Sequence, residues 1–100
     1  MINVVAAIIR NNQNEIFIAQ RNQNKSQGGL WEFPGGKIEP NETENQAIIR
    51  EIKEELDMNI TVIDKYTEII YEYPDKTINL IVLNCQMNDN HYALLEHQDC

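Results

Sequence analysis

The chain has 100 residues, which is enough for one domain with a modest hydrophobic core. Its 16 acidic and 8 basic side chains give a formal net charge of −8, which argues against a nucleic-acid polymer or an anionic membrane as the main partner. Two cysteines are too few for a disulfide framework, and the apolar start lacks the basic segment of a signal peptide, so we expect a cytoplasmic protein.

The first 40 residues predict short strands separated by turns. Branched aliphatic residues from Val4 to Arg10 indicate a buried strand, and Glu15 to Arg21 is expected to form a hairpin with it. After a polar loop, residues 31–33 predict a short strand that stops at Pro34-Gly35-Gly36. Residues 37–39 predict one more extended stretch.

One helix is predicted, from about Thr43 to Leu56, with Asn41 or Thr43 as the capping residue. Its apolar side chains recur at helical spacing and should form one core-facing stripe. The residues of this stripe are Ile48, Ile49, Ile52 and Leu56.

The remainder predicts a long strand, or a strand with a bulge, over Ile60 to Tyr73, then a turn, then a strand over Thr77 to Met87. Strands, one helix and more strands indicate an α+β domain in which the helix packs on a mixed sheet. A strand pattern begins near His97 and stops at Cys100, so we expect the full domain to need one more element.

Three carboxylates of the helix lie on one face. Glu51, Glu54 and Glu55 stand at i, i+3 and i+4. Like charges at this spacing destabilise a helix by roughly a few tenths of a kcal/mol per pair. Hard oxygen ligands on a rigid element suit Mg²⁺. By itself, however, this pattern is more typical of a solvated acidic helix face.

A glycine-rich segment, Pro34-Gly35-Gly36-Lys37, precedes the helix. Glycine lets backbone approach a metal or a phosphate closely, and a lysine can act as a point charge toward a phosphate. In isolation the segment would be read as an ordinary turn with a solvent-facing lysine.

The spacing between the two features is more specific than either. It runs Gly36, five residues, Glu42, seven residues, Arg50-Glu51-Ile52, one residue, Glu54-Glu55, one residue, Asp57-Met58. This resembles the Nudix box of the Nudix hydrolases at every fixed position except one, where the family has glycine and this chain has Asp57. The family glycine commonly takes a left-handed conformation after the helix, which Asp tolerates at a cost of about 1 kcal/mol.

The resemblance extends along most of the chain. Residues 31–39 and 71–76 resemble the MutT-like branch, and Glu96-His97-Gln98 resembles the motif near its later catalytic glutamate. The implied fold is a Nudix-type mixed sheet in an α/β/α sandwich, with the C-terminal helix missing. The single domain would span residues 1–100 and be incomplete at its carboxyl end.

The resemblance also implies roles for individual residues. The catalytic group would be Glu51, Glu54 and Glu96, with Arg50 orienting a neighbouring glutamate. The metal ligands would be Gly35, Glu51, Glu54, Glu55 and Glu96. The nucleotide would meet Arg21, Glu32, Phe33, Pro34, Gly35 and Lys37.

The implied activity is hydrolysis of a nucleotide diphosphate linkage with Mg²⁺, for which Mn²⁺ can substitute. The favoured substrate is a nucleoside triphosphate, including an oxidised one such as 8-oxo-dGTP, cut to monophosphate and pyrophosphate in nucleotide-pool sanitation. ADP-ribose, another nucleotide sugar or a dinucleotide is the alternative substrate, and a non-catalytic Nudix-fold nucleotide-binding module is a further alternative. Neither a nucleic-acid polymer nor a membrane is expected as partner, and the protein would be a monomer or a homodimer.

The remaining aromatic and sulfur side chains have simpler interpretations. Phe33 is expected to pack in the core, whereas Trp31 is open between the core and stacking on a base. The four tyrosines of the second half, Tyr66, Tyr71, Tyr73 and Tyr92, are interpreted as strand-packing residues. Cys85, in an apolar strand, is expected to be a small buried hydrophobe.

Overall fold

The computed structural model describes residues 1–20 and 31–88. Their elements are β1 (Ile2–Arg10), β2 (Ile16–Phe17), β3 (Ala19–Gln20), β4 (Trp31–Glu32), β5 (Gly35–Lys37), α1 (Glu44–Leu56), β6 (Ile60–Tyr73) and β7 (Lys76–Met87). Within these ranges no helix combines the length and the apolar character needed to span a membrane.

The main sheet of the described residues has five strands in the order β2-β1-β7-β6, with β5 also paired to β1. Strands β1 and β7 are parallel over nine residue pairs, from Ile2↔Ile78 to Arg10↔Gln86, and the other pairs are antiparallel. Strands β3 and β4 form a separate two-stranded ladder. The sheet is therefore mixed, and with one helix packed on it the predicted α+β class is confirmed.

The core lies between α1 and one face of this sheet. Alternate residues of β1, namely Val5, Ala7 and Ile9, are completely buried and cluster with Ile48 and Ile52 of the helix. Every second residue of β1 therefore packs against the buried side chains of α1, which recur at helical spacing. These contacts fix the orientation of the helix on the sheet.

The predicted helical stripe was wrong at one position. Ile48, Ile52 and Leu56 are completely buried, but Ile49 is 44% exposed. The buried residues form a line at intervals of four, and Ile49 is rotated about 100° from Ile48, which takes it off the contact face.

Both ends of α1 carry specific backbone features. Thr43 is the N-cap: its hydroxyl accepts a hydrogen bond from the Gln46 amide, and the Gln46 side chain accepts one from the Thr43 amide. At the other end Asp57 adopts the left-handed conformation, with φ 51° and ψ 41°. The expected left-handed cap at Asp57 is confirmed.

Two predicted strand boundaries were wrong. The stretch predicted as one strand from Glu15 is broken at Ile18 into the short strands β2 and β3. Gly35 and Gly36, predicted to stop a strand, instead form β5 with Lys37, and residues 38–39 are not part of it. Strand β5 forms because its backbone pairs with β1, in the register Ala6↔Gly35 to Val4↔Lys37.

The two strands predicted after the helix are confirmed. Of the two alternatives for the first, the strand with a bulge is the one observed, because the pairing of β6 is irregular between Val62 and Asp64 and between Lys65 and Thr67. Its tyrosines do not pack as predicted. Tyr66, Tyr71 and Tyr73 are 66%, 43% and 49% exposed. They lie on β6, one edge strand of the described sheet, where fewer neighbours cover a side chain. Tyr92 lies outside the described residues.

Two further predictions concern isolated side chains. Phe33 is 43% exposed, so its expected place in the core was wrong. Cys85 is buried as predicted, and this burial raises the pKa of its thiol to about 12.

Candidate functional site

The site begins where β5 meets the side of α1. A Cβ placed on Gly36 would overlap the carboxylate of Glu51, the helix residue that faces this strand. The Glu51 carboxylate therefore lies directly against the β5 backbone, and its side chain is only 16% exposed. Glycine at position 36 makes this approach of a helix carboxylate to a strand possible.

Arg50 connects the loop, the strand and the helix. Its Nε donates to Oε2 of Glu42 at 2.6 Å and its Nη2 to Oε1 of the same carboxylate at 3.0 Å, which makes a bidentate pair. Nη1 donates to Oε1 of Glu54 at 2.9 Å, and Nη2 also donates to the Lys37 carbonyl at 3.1 Å. One guanidinium thus fixes the start of the helix segment, the end of β5 and a carboxylate one turn further along α1.

We call Arg50 and the groups to which it donates the Arg50 clamp, and its electrostatics favour the ionised forms of Glu42 and Arg50. The hydrogen bond from Arg50, followed by one from the Glu39 amide, holds the pKa of Glu42 below its ordinary value of 4.5. The same bond to Glu42 is the main cause of a raised pKa at Arg50, with the nearby charge of Glu51 contributing. Glu51 Oε2 lies 3.4 Å from Nη1 and Glu39 Oε1 lies 3.5 Å from Nε.

The three predicted metal-ligand glutamates of α1 lie in different surroundings. Glu51 is sheltered between strand and helix, and the side chain of Glu54 is 56% exposed while bound to Arg50. Glu55 is buried, with 5% of its surface exposed. A buried ionisable carboxylate is rare and needs compensation by a cation or by hydrogen bonds.

Within residues 1–20 and 31–88, no three acidic, histidine or cysteine side chains converge into a ready-made metal cage. This is compatible with Mg²⁺, because Mg²⁺ is usually held by one or two carboxylates, with water and substrate phosphate completing its shell. The donor set fits such an ion: hard carboxylate oxygens on a rigid helix beside a strand whose glycine leaves room for one of them. The assignment of particular ligands remains a prediction.

The other predicted site residues are only partly described. Pro34 is buried, its carbonyl accepts a hydrogen bond from the Ala7 amide, and Lys37 is exposed at the end of β5. A Cβ on Gly35 would overlap the Val5 carbonyl, so Gly35 is held against β1. Arg21, Glu96 and the side chain of Glu32 lie outside the part of the chain that the structure describes.

Sequence reasoning missed two partners of Arg50. One is the Lys37 carbonyl, which no side-chain pattern can reveal because it is a backbone atom. The other is Glu39, whose carboxylate lies near Arg50. The one sequence feature that could have indicated this contact is the spacing of three residues between Glu39 and Glu42, which allows the Glu39 amide to donate to the Glu42 carboxylate across a turn. Together they tie the loop to the helix.

Comparison with known proteins decides the family. Residues 5–98 match the model of the NUDIX domain. The chain belongs to the Nudix family. Nudix hydrolases generally need a divalent metal, which is consistent with the acidic face of α1.

The relatives carry enzyme names. Over 79 residues the chain is 40% identical to 8-oxo-dGTP diphosphatase of Proteus vulgaris, covering 79% of this chain and 70% of that protein. Over 62 residues it is 53% identical to CTP pyrophosphohydrolase of Escherichia coli, covering 62% of this chain and 45% of that protein. This Nudix chain therefore spans between about half and about two-thirds of the length of these curated relatives.

A solved structure gives the same fold. The crystal structure of the MutT protein from Methanosarcina mazei superposes with a TM-score of 0.83 at 28% identity, covering 98% of this chain and 72% of that one. The Nudix fold expected from the box is thus confirmed, and the Nudix helix corresponds to α1.

Proposed function

We propose that this Nudix protein hydrolyses a diphosphate linkage in a nucleotide, converting a nucleoside triphosphate into a monophosphate and pyrophosphate. The observation that carries the proposal is the clamp around Arg50, which holds the acidic face of α1 beside the glycine strand β5. Relatives named 8-oxo-dGTP diphosphatase and CTP pyrophosphohydrolase support the substrate class. 8-Oxo-dGTP and CTP are therefore the first substrates to examine.

The proposed cofactor is Mg²⁺, with Mn²⁺ as a substitute. Glu51 and Glu55 would hold it, with the Gly35 carbonyl, Glu54 and Glu96 as further proposed ligands. When bound, the metal would lower the pKa of an attacking water and neutralise charge on the phosphate oxygens. Glu55 is included because it lies four residues after Glu51, one turn further along the same rigid helix.

The residues of the chain have separate proposed tasks. Glu54 is the most exposed of the three glutamates, so it is best placed to reach water and accept its proton. Arg50 is a positioning residue, because its Nη1 fixes the Glu54 carboxylate at 2.9 Å while Nε and Nη2 are fixed by Glu42. Glu51, against Gly36, is kept from rotating away by the strand backbone.

Substrate contacts are proposed along β5 and the segment before it. Lys37 is exposed and can offer its ammonium to a phosphate as a point charge. Phe33, 43% exposed, is available to stack on a base, which its predicted burial would have prevented. Arg21, Glu32, Pro34 and Gly35 complete the proposed nucleotide contacts.

The test is a substrate panel with product analysis. The protein is incubated with 8-oxo-dGTP, CTP, the ordinary triphosphates, ADP-ribose and a dinucleoside polyphosphate, each with Mg²⁺ and with excess chelator. We expect monophosphate and pyrophosphate from a triphosphate in Mg²⁺ and none in chelator. Preference for ADP-ribose or the dinucleotide would support the alternative substrate class. Binding of nucleotides without turnover of any substrate would support the non-catalytic module and reject the proposal.

A further inference from the structure

Asn41 lies just before α1 in a conformation that its predicted role does not explain. It is one of the two caps predicted from the sequence, but Thr43 is the N-cap. Asn41 instead has a left-handed backbone conformation, with φ of 66°, and its side chain is exposed. Non-glycine residues seldom adopt this conformation, although asparagine tolerates it better than most. The left-handed conformation of Asn41 therefore needs a reason other than capping.

The turn that contains Asn41 runs from Glu39 to Glu42 and is closed by two hydrogen bonds. The Glu42 amide donates to the Glu39 carbonyl at 3.2 Å, and the Glu39 amide donates to Oε1 of Glu42 at 2.9 Å. Pro40 fixes a negative φ at the second position, and the positive φ of Asn41 at the third makes this a type II turn. The turn therefore places a backbone donor on a carboxylate of the Arg50 clamp.

This backbone donor completes the hydrogen bonding of the Glu42 carboxylate. Oε1 accepts from the Glu39 amide and, at 3.0 Å, from Nη2 of Arg50, while Oε2 accepts from Nε of Arg50 at 2.6 Å. The Glu42 side chain is only 14% exposed. Since both oxygens are bonded, and to two separate segments of the chain, rotation of the carboxylate breaks at least one bond. The orientation of Glu42 therefore depends on the conformation of the turn.

The other edge of the same guanidinium holds the proposed proton acceptor. Nη1 of Arg50 donates to Oε1 of Glu54 at 2.9 Å. The guanidinium group is planar and rigid, so a shift of Glu42 at one edge moves Nη1 at the other. The Lys37 carbonyl also holds Nη2, at 3.1 Å, so we expect a displaced turn to misplace Glu54 partly and not completely.

We propose that Asn41 is a positioning residue for the hydrolysis, which acts on the Glu54 carboxylate through the Arg50 clamp. The proposal rests on the function proposed above, in which Glu54 accepts the proton of the attacking water. Asn41 acts through the backbone of its turn, so its side chain is not required. Glycine, which adopts the left-handed conformation readily, should replace it, whereas a β-branched residue should not.

The chain offers a matched control for this test. Asn14 has φ of 63° in the exposed turn between β1 and β2, where its amide donates to the Asn11 carbonyl at 3.0 Å. Within the part of the chain that the structure describes, this turn supplies no partner to Arg50. Asn14→Val and Asn41→Val therefore introduce the same conformational conflict, but only Asn41→Val introduces it next to the clamp.

The first readout is steady-state kinetics with the preferred triphosphate in Mg²⁺, on variants that circular dichroism shows to be folded. We expect Asn41→Val to lower kcat about tenfold with KM nearly unchanged, because the proton acceptor is misplaced while the substrate contacts remain. Asn41→Gly should restore kcat. Asn14→Val should keep the wild-type kcat although its melting temperature falls to a similar extent. An unchanged kcat in Asn41→Val, or an equal loss in Asn14→Val, would overturn the proposal.

The second readout does not depend on turnover. NMR measures solvent exchange of the Arg50 Nε–H, the donor to Glu42, and the signal is assigned by its absence in Arg50→Lys. We expect exchange to be several-fold faster in Asn41→Val and unchanged in Asn41→Gly and Asn14→Val, since exchange reports local opening. A wild type that hydrolyses nothing would reject the proposed function, and the exchange rates would then decide whether the turn holds the clamp. Unchanged exchange in folded Asn41→Val would overturn the positioning role even in an active protein.

Discussion

The two adjacent glycines of β5 lie against different neighbours, so substituting them should have different effects on activity and stability. A Cβ on Gly36 would overlap the Glu51 carboxylate, the movable end of a side chain. A Cβ on Gly35 would overlap the Val5 carbonyl and lie 2.8 Å from the Ala6 Cα, both fixed backbone atoms. The missing Cβ of Gly36 therefore leaves room for the Glu51 carboxylate, and that of Gly35 leaves room for the β1 backbone.

The first prediction uses this pair. Gly36→Ala should displace Glu51 and lower turnover on the order of 100-fold while changing the melting temperature little. Gly35→Ala should destabilise the fold by about 1–3 kcal/mol, because backbone atoms of β1 must move. Thermal unfolding and turnover, measured on both variants, check this. Equal losses of stability in the two would show that Gly36 is also a sheet-packing position.

The second prediction concerns acid stability at Glu42. Arg50 lowers the pKa of Glu42 in the folded chain. The contribution of ionised Glu42 to the free energy of unfolding is therefore fully present above the ordinary pKa of 4.5 and is lost as pH falls through the lowered pKa. The difference in melting temperature between wild type and Glu42→Gln should stay constant from about pH 7 to pH 5 and shrink at lower pH. A difference that grew on acidification would contradict the assigned sign.

Single residues also show how far the sequence was informative. The box spacing predicted that Glu42, Arg50 and Glu54 belong to one site, and hydrogen bonds now join the three. The exposure of Phe33 was not predictable, because burial of a lone aromatic depends on neighbours that are distant in sequence.

Among the elements, α1 shows how local sequence sets a boundary. Thr43 and Gln46 form the capping box, whose loss by Thr43→Ala would cost about 1 kcal/mol. Asp57 ends the helix with a positive φ, and its Oδ1 forms an ion pair with Nζ of Lys53 at 2.8 Å. That exposed pair offsets only part of the left-handed strain.

The third prediction follows from this helix end. Asp57→Gly should stabilise the chain by up to about 1 kcal/mol, because relief of the left-handed strain exceeds the loss of an exposed ion pair. Asp57→Ala, which loses the pair and keeps the strain, should destabilise it. Urea unfolding of the two variants gives the comparison. A glycine variant no more stable than the alanine variant would mean that φ of 51° is not strained at this position.

Element boundaries were predictable where capping chemistry or a long apolar pattern defined them, as in α1 and β6. Strand β5 was not, because glycine has a low strand preference and Gly35-Gly36 looks like a turn. Its extended conformation comes from pairing with β1, a contact between segments about 30 residues apart in sequence. In β5, therefore, pairing with β1 determines the backbone conformation in spite of the low strand preference of glycine.

For the whole molecule, the parallel pairing of β1 with β7 brings the first and last described strands together. The helix and β5 lie between these two strands in sequence. Strand β5 also pairs with β1, so the same sheet holds the glycine strand that contacts Glu51 of α1. The order of elements predicted a mixed sheet but not this register, which depends on the buried alternation of both strands.

The most direct measurement is pyrophosphate release from the preferred triphosphate by Glu54→Gln and Glu55→Gln, with Glu72→Gln as control. Each of the first two keeps the size of the side chain and removes a carboxylate of the acidic face, whereas Glu72 is exposed on β6. We expect turnover in Mg²⁺ to fall by orders of magnitude for Glu54→Gln and Glu55→Gln and to stay at the wild-type level for Glu72→Gln. Near wild-type turnover in both site variants, with the fold intact, would contradict the assignment of α1 as the hydrolytic helix.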